Sequence, residues 1–115
     1  MLKIAKEENQ YRVELFQVNR LNTLFSDLVK QQLFELVEEP GVSVVFNLED
    51  IRFIDSSGFD VLLDVSERAR MHGSQLSLCN ISDDVRELLT MMELEGRFDC
   101  LTCDNTREKI LAVLD

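Results

Sequence analysis

The chain has 115 residues, 45% of them hydrophobic and 30% charged, which fits one folded domain and excludes a disordered chain. Its 22 acidic and 12 basic residues give a formal net charge of −10. A field of that sign repels phosphate backbones and anionic membrane surfaces, so no nucleic-acid partner is expected. The acidity either serves solubility or attracts a basic partner surface.

Targeting and cysteine signals favour a cytoplasmic protein. The segment from Met1 to Glu8 contains no apolar core of a secretory signal, and no stretch approaches the roughly 20 apolar residues of a membrane span. Three cysteines, an odd number, indicate reduced thiols rather than a disulfide framework. We therefore expect a protein of the cytoplasm without direct membrane insertion.

The first half of the chain predicts two strands, a helix and a third strand. Leu2 to Glu7 form a short strand, and the next segment alternates in polarity, which is typical of a strand with one buried face: Tyr11, Val13 and Leu15 against Arg12 and Glu14. Asn22 can cap a helix that runs to about Glu39 and ends at Pro40-Gly41. The apolar run 42–48 then indicates a strand covered on both faces, as in parallel sheets.

The second half continues the alternation of helices and strands. A helix begins after Asp55, with Asp64 and Arg68 one turn apart and able to pair. His72-Gly73 ends this helix, and a strand over 75–81 follows. Ser82 is a good N-cap for a third helix. A strand over 98–103 and a helix over 106–114 complete the order β-β-α-β-α-β-α-β-α, which predicts an α/β fold with a mixed sheet and helices packed on it.

The turn Asp55-Ser56-Ser57-Gly58 is the most informative segment. It follows buried β material and opens a helix, and the carboxyl ends of parallel strands are favoured places for sites. A phosphate on a serine here would meet unpaired N–H groups of the helix N-terminus and add about −1.5 to −2 charges. Alternatively, the aspartate and both serines are simply good N-caps, and Gly58 allows close helix packing. The turn alone leaves both interpretations open.

The segments around this turn carry a family resemblance. Phe46-Asn47-Leu48-Glu49-Asp50 is followed by Phe53-Ile54-Asp55-Ser56-Ser57-Gly58, and the match continues through His72-Gly73 and Val85-Arg86-Glu87-Leu88-Leu89. Over residues 1–115, as a single domain, the chain resembles a STAS domain, the family of sulfate-transporter tails and anti-sigma-factor antagonists. It resembles the small stand-alone antagonists most.

The resemblance implies a phosphorylation switch. In such antagonists the serine directly after the aspartate is phosphorylated by an anti-sigma factor that is also a serine kinase of the histidine-kinase-like ATPase type. A PP2C-type phosphatase removes the phosphate, and the unphosphorylated antagonist binds the kinase. Carried over, the phosphosite is Ser56, with Ser57 as second choice, while Asp55 orients the loop and Gly58 lets a partner approach. The expected partner surface comprises Asp55, Ser56, Ser57, Gly58, Phe59, Asp60, Asp64, Glu67 and Arg68.

Two segments depart from the family pattern. The chain has Asn19-Arg20-Leu21-Asn22 where Gly-x-Leu-Asp is common, although Asn22 can still cap the first helix. It also has Phe59-Asp60 where Leu-Gly is common. Asp60 adds a negative charge one turn from the proposed phosphosite, so it bears on which partner is bound.

Other residues predict neither a metal site nor catalysis. The only histidine, His72, is expected to meet the last carbonyls of its helix. Cys100 and Cys103 have C-x-x-C spacing but lie in a predicted strand, where structural thiols are expected rather than a redox or zinc site. We expect no cofactor and no enzyme activity. The alternative functions are a non-switching STAS subunit of a membrane lipid ABC transporter, docked on its ATPase, and an α/β enzyme.

Overall fold

The computed structural model describes residues 2–23 and 26–101. Three helices and seven strands form within these ranges. In chain order the elements are β1 (Leu2–Glu7), β2 (Gln10–Leu15), β3 (Arg20–Leu21), α1 (Ser26–Val37), β4 (Ser43–Asn47), β5 (Phe53–Ile54), α2 (Ser56–Met71), β6 (Gln75–Cys79), α3 (Asp83–Met91) and β7 (Asp99–Leu101).

A five-stranded mixed sheet forms the centre of the fold, in the order β1-β2-β4-β6-β7. The first two strands are an antiparallel hairpin with Leu2 opposite Leu15. The remaining neighbours are parallel, with Val13 opposite Phe46 and Phe46 opposite Leu78. The prediction of a mixed sheet that is parallel in its later part is confirmed.

A second, two-stranded ladder lies beside the main sheet, and the sequence pattern did not reveal it. β3 and β5 pair in parallel, with Arg20 opposite Phe53 and Leu21 opposite Ile54. A backbone hydrogen bond from Asp55 N to Leu21 O, 3.1 Å long, extends this ladder to the start of α2. Two residues are too few for a period-2 pattern to show. This ladder fixes the loop before α1 against the loop before α2.

The main core lies on the face of the sheet that α1 and α2 cover. Alternate residues of the inner strands point into it, as the period-2 geometry of strands requires. The helices contribute side chains from one stripe of each, as the 3.6-residue period predicts. The largest fully buried side chains include Val13, Leu21, Val29, Leu33, Phe46, Leu48, Ile54, Phe59, Leu62 and Leu78.

The other face of the sheet corrects one sequence expectation. Arg12 was assigned to the solvent side of β2, but only 8% of it is exposed, because β2 is an inner strand and this face is also enclosed. Its Nη2 donates to Gln10 Oε1 at 2.7 Å. Its Nε and Nη1 are buried without a hydrogen-bond partner among the described residues. Burial lowers the pKa of the Arg12 guanidinium, opposed by the nearby charge of Glu7.

The cysteines differ partly from prediction. Cys79 is disulfide-bonded, so the expectation of reduced thiols is wrong for this residue. Cys100 is a free, exposed thiol. Of the predicted strand over 98–103, residues Asp99–Leu101 form β7. Cys103, the predicted helix over 106–114, and positions 24 and 25 of the first predicted helix lie outside the described ranges.

Candidate functional site

Asp55 is the N-cap of α2. Its backbone is extended, with φ −88° and ψ −178°, and its Oδ1 accepts a hydrogen bond from Gly58 N at 2.9 Å. An N-cap side chain in this geometry satisfies one of the N–H groups that the first helical turn leaves unpaired. The capping interpretation is therefore confirmed for Asp55, and the two serines lie in the first turn of the helix.

Thr23, from the loop before α1, completes the site, although no motif in the sequence singles it out. Its backbone N–H donates to Asp55 Oδ2 at 3.1 Å, and its Oγ1 donates to the same oxygen at 3.2 Å. Thr23 and Asp55 are 32 residues apart, and the β3–β5 ladder brings them together. No local periodicity reports such a contact. The only available signal was that Thr23 directly follows Asn22, the residue predicted to cap the first helix.

The hydrogen bonds around Asp55 favour its ionised form. Partial burial raises the pKa of this carboxyl, but hydrogen bonds from Gly58, Ser57 and Thr23 lower it further than burial raises it. The net effect is a pKa below the ordinary value for aspartate. Hydrogen bonds donated to a carboxylate stabilise the charged form, which is lost on protonation. The cap therefore carries a fixed negative charge at neutral pH.

The two serines of the turn have different environments. Ser57 is half-buried, and its Oγ donates to Asp55 Oδ1 at 2.7 Å and lies 3.2 Å from Thr23 Oγ1. Ser56 is exposed, and its hydroxyl forms no hydrogen bond within the described part of the chain. Local sequence made Ser56 and Ser57 nearly equivalent. Of the two hydroxyls, only that of Ser56 is without a hydrogen bond to the described residues, and Ser56 is the more exposed serine.

Gly58 and Phe59 face inward, which corrects their assignment to the partner surface. A Cβ at Gly58 would lie 2.7 Å from both Leu21 O and Ile54 Cγ2, so the glycine allows the β3–β5 ladder to approach the helix. Phe59 is 1% exposed and belongs to the core. Neither residue offers a surface to a partner. Gly58 is required by packing within the chain rather than by a partner's approach.

The outer face of α2 is acidic. Asp60, Asp64 and Glu67 are exposed and lie with Ser56 along one stripe of the helix. Residues at these spacings share a face because an α-helix has 3.6 residues per turn. The remaining predicted surface residue, Arg68, is half-buried at the edge of this stripe.

Ion pairs from this helix reach α1 and the residue directly after its end, and they do not follow the predicted pattern. Asp64 pairs with Lys30 at 2.9 Å, and Arg68 pairs with Glu38 at 2.6 Å. The expected Asp64–Arg68 pair is therefore wrong, because the actual partners are Lys30 of α1 and Glu38, which directly follows α1. Glu67 pairs with Arg70 on the same helix.

Two further sequence predictions are confirmed at helix ends. His72 is the C-cap of α2, and its Nδ1 lies 2.9 Å from Arg68 O, the structural role expected of it. Ser82 caps α3 by accepting from Val85 N at 3.2 Å, and its Oγ donates to Ile51 O at 2.9 Å. Across residues 2–23 and 26–101, no group of three or more metal-ligating side chains forms. No described helix has the length and apolar character to span a membrane.

The fold and the site together define a small mixed α/β domain whose principal feature is a serine at the N-terminus of its second helix. The STAS-domain family model matches residues 5–110. The chain therefore belongs to the STAS-domain family, as the sequence resemblance predicted.

Relatives of the chain include anti-sigma-factor antagonists. An anti-sigma F factor antagonist from Paenibacillus polymyxa is 30% identical over 70 residues, which are 60% of each chain. The present chain thus matches less than two thirds of that relative's length.

Solved structures show the same fold at low sequence identity. An anti-sigma-factor antagonist (STAS) domain protein from Planctomyces limnophilus is 16% identical, with a TM-score of 0.81 and coverage of 99% and 98% of the two chains. The anti-sigma-factor antagonist SpoIIAA in its unphosphorylated form is 17% identical, with a TM-score of 0.74 and 97% coverage of both chains. A sulfate transporter family protein from Wolinella succinogenes is 18% identical, with a TM-score of 0.68 and coverage of 81% and 74%.

Proposed function

We propose that this protein is a phosphorylation-controlled binding switch. Its unphosphorylated form binds a serine kinase/anti-sigma factor of the histidine-kinase-like ATPase type, and phosphorylation at Ser56 releases that partner. The observation that carries the proposal is the contrast between the exposed, unbonded Ser56 hydroxyl and the engaged Ser57 hydroxyl. A phosphoryl acceptor needs a hydroxyl that a kinase can reach, and Ser56 meets this requirement.

The helix N-terminus supports a phosphate at Ser56. The N–H groups of Ser56 and Ser57 take no part in the backbone hydrogen bonds that the described residues form, because Asp55 satisfies only Gly58. Unpaired first-turn N–H groups and the helix dipole favour an anion at this position. The phosphate would be accommodated without breaking a bond of the cap.

Charge supplies the release. A phosphoserine adds about −1.5 to −2 charges at neutral pH. Asp60 lies one turn away on the same exposed stripe, which also carries Asp64 and Glu67. Like-charge repulsion from these carboxylates and the cost of desolvating the phosphate then oppose a contact that is formed around the unmodified Ser56.

The proposed cycle also includes dephosphorylation, a cellular location and a role for the domain without catalysis. A PP2C-type phosphatase restores the binding form, and the whole cycle takes place in the cytoplasm, where ATP is available to the kinase. The domain acts as one unit, as a phosphoryl acceptor and binding module, and performs no catalysis itself. Its relation to the antagonist from Paenibacillus polymyxa supports this reading.

Intact-mass measurement and site mapping of protein recovered from its native cells test the proposal. We expect one phosphate on the wild type, located on Ser56, and none on Ser56→Ala. Ser66→Ala, a serine on the same helix, serves as a matched control and should keep the phosphate. In co-purification, Ser56→Ala should retain the kinase and Ser56→Asp should lose it.

Absence of phosphate on the wild type in every growth condition would contradict the switch. Co-purification with a transporter ATPase would then favour the alternative, a non-switching STAS subunit of a membrane lipid ABC transporter. Identical partner recovery by Ser56→Ala and Ser56→Asp would also contradict the proposal, because it would show that charge at this position does not control binding.

A further inference from the structure

We propose that Thr23 is a positioning residue that assigns phosphorylation to Ser56 by keeping Ser57 closed. The inference rests on the proposed function and concerns which of two adjacent hydroxyls the kinase can use. Neither serine is distinguished by local sequence, since both lie in the first turn of α2. The two hydroxyls are distinguished by the contact between Thr23 and Asp55, which are 32 residues apart in the chain.

Three oxygen-bearing side chains form a closed triangle. Asp55 Oδ1 accepts from Ser57 Oγ at 2.7 Å, Asp55 Oδ2 accepts from Thr23 Oγ1 at 3.2 Å, and the two hydroxyl oxygens are 3.2 Å apart. Each hydroxyl has one proton. The short Ser57–Asp55 bond uses the serine proton, which leaves the Thr23 proton to reach either the carboxylate or Ser57 Oγ. In both arrangements the Ser57 hydroxyl is occupied.

Thr23 holds the carboxylate in the orientation that makes this possible. Its N–H and Oγ1 both donate to Oδ2, which turns Oδ1 toward Ser57 and Gly58. Asp55 N is bonded to Leu21 O at 3.1 Å, so the backbone of the cap is fixed by the same segment. A carboxylate held from both sides cannot rotate away, and the Ser57 side chain stays against it.

Phosphorylation at Ser57 is disfavoured for two reasons: its hydroxyl is already hydrogen-bonded, and the phosphorylated product would be destabilised. The transfer replaces the hydroxyl proton with a phosphoryl group, so the bond to Asp55 is lost and two anions become neighbours. Like charges at short range repel strongly where solvent is partly excluded. The Asp55 carboxylate does not serve as an efficient base for Ser57, since its lowered pKa makes it a weak proton acceptor.

A double variant tests this inference in protein recovered from native cells. Ser56→Ala alone should carry no phosphate, because Ser57 is closed. Ser56→Ala combined with Thr23→Val should carry phosphate on Ser57, at least about tenfold above the background signal of the single variant, the scale set by losing one hydrogen bond. Ser56→Ala combined with Thr23→Ser keeps a hydroxyl at position 23 and should again carry no phosphate.

A second readout is independent of the kinase. The pKa of the Asp55 carboxyl, measured by NMR, should rise in Thr23→Val and return toward the wild-type value in Thr23→Ser, because Oδ2 loses and regains a donor. The same spectra report whether each variant is folded.

The outcomes separate the two proposals. No phosphate on wild-type Ser56 contradicts the proposed function. Phosphate on wild-type Ser56, with equal phosphate on Ser57 in all three variants that carry Ser56→Ala, or with none in any of them, overturns the role of Thr23. An unchanged Asp55 pKa in folded Thr23→Val also overturns it.

Discussion

Gly58 and Leu21 approach each other so closely that a Cβ on the glycine would lie 2.7 Å from the leucine carbonyl oxygen. The same Cβ would meet Ile54 Cγ2 at 2.7 Å. Backbone cannot give way as a flexible side chain can, so α2 would have to move away from the β3–β5 ladder. This contact sets how near the first turn of α2 lies to the segment that carries Thr23.

Gly58→Ala should therefore lower the free energy of unfolding by about 2–3 kcal/mol, within the range for overpacked sites. Urea denaturation measures the change. Gly96→Ala is the matched control, because nothing lies within 4 Å of a Cβ there, and it should change stability by less than about 0.5 kcal/mol. Equal effects of the two substitutions would show that the close approach is not maintained in solution.

Asp55→Ala removes the cap and should lower the free energy of unfolding by about 1–2 kcal/mol at neutral pH. Because the folded pKa of Asp55 is lowered, its contribution is fully present above the unfolded value of about 3.9 and is lost as pH falls through the folded pKa. The difference between wild type and variant should thus be constant near neutrality and shrink in acid. A difference that grows as pH falls would contradict the assigned direction.

Arg68 connects α2 to the end of α1 by two contacts, one to Phe34 within α1 and one to Glu38 directly after it. Its guanidinium pairs with Glu38 at 2.6 Å and lies 4.2 Å from the centre of the Phe34 ring. Arg68→Gln should lower the free energy of unfolding by about 1 kcal/mol, since it loses both the ion pair and the cation–π contact. Glu38→Gln loses only the ion pair and should cost less than about 0.5 kcal/mol, with the cost reduced at high salt.

Denaturation at two salt concentrations separates the contribution of the ion pair from that of the contact with the Phe34 ring. The Glu38→Gln effect should disappear at high ionic strength, while part of the Arg68→Gln effect persists through the Phe34 contact. If both effects disappear together, the ring contact adds nothing to stability.

Substitution of Arg12, unlike the substitutions above, is not expected to lower the free energy of unfolding. Two of its guanidinium nitrogens are buried without a hydrogen-bond partner among the described residues, and such groups keep their full desolvation cost. Arg12→Met should leave the free energy of unfolding unchanged or raise it by about 1 kcal/mol, as replacing poorly paired buried charges often does. Arg20→Met, at an exposed arginine, controls for the lost charge. A loss above about 2 kcal/mol, typical of a broken buried pair, would show that the guanidinium is paired in solution.

Sequence periodicity was a good guide to the long elements. Period-2 and period-3.6 patterns predicted the central strands and the three described helices, because burial of one face or stripe imposes those repeats. Capping chemistry located helix ends such as Ser82 and His72 for the same reason: the residues that satisfy end groups are few. The family resemblance predicted Ser56, rather than Ser57, as the phosphorylated serine.

Short and long-range features required the tertiary structure. The two-residue strands β3 and β5 are too short to show an alternation of polar and apolar residues. Arg12 was expected to face solvent, because alternation along a strand does not reveal whether the second face of the sheet is also covered. A pair between Asp64 and Arg68 was expected, but their actual partners are Lys30 of α1 and Glu38, which directly follows α1.

The sequence by itself determined that a capped helix starts at a turn with two serines. Local chemistry fixes this, because aspartate in that position satisfies the first-turn N–H groups. Only the tertiary structure decided that the hydroxyls differ, since Thr23 reaches Asp55 and Ser57 from a segment 32 residues earlier than the cap. A through-space hydrogen bond of this kind depends on how the β3–β5 ladder packs, which no local pattern encodes.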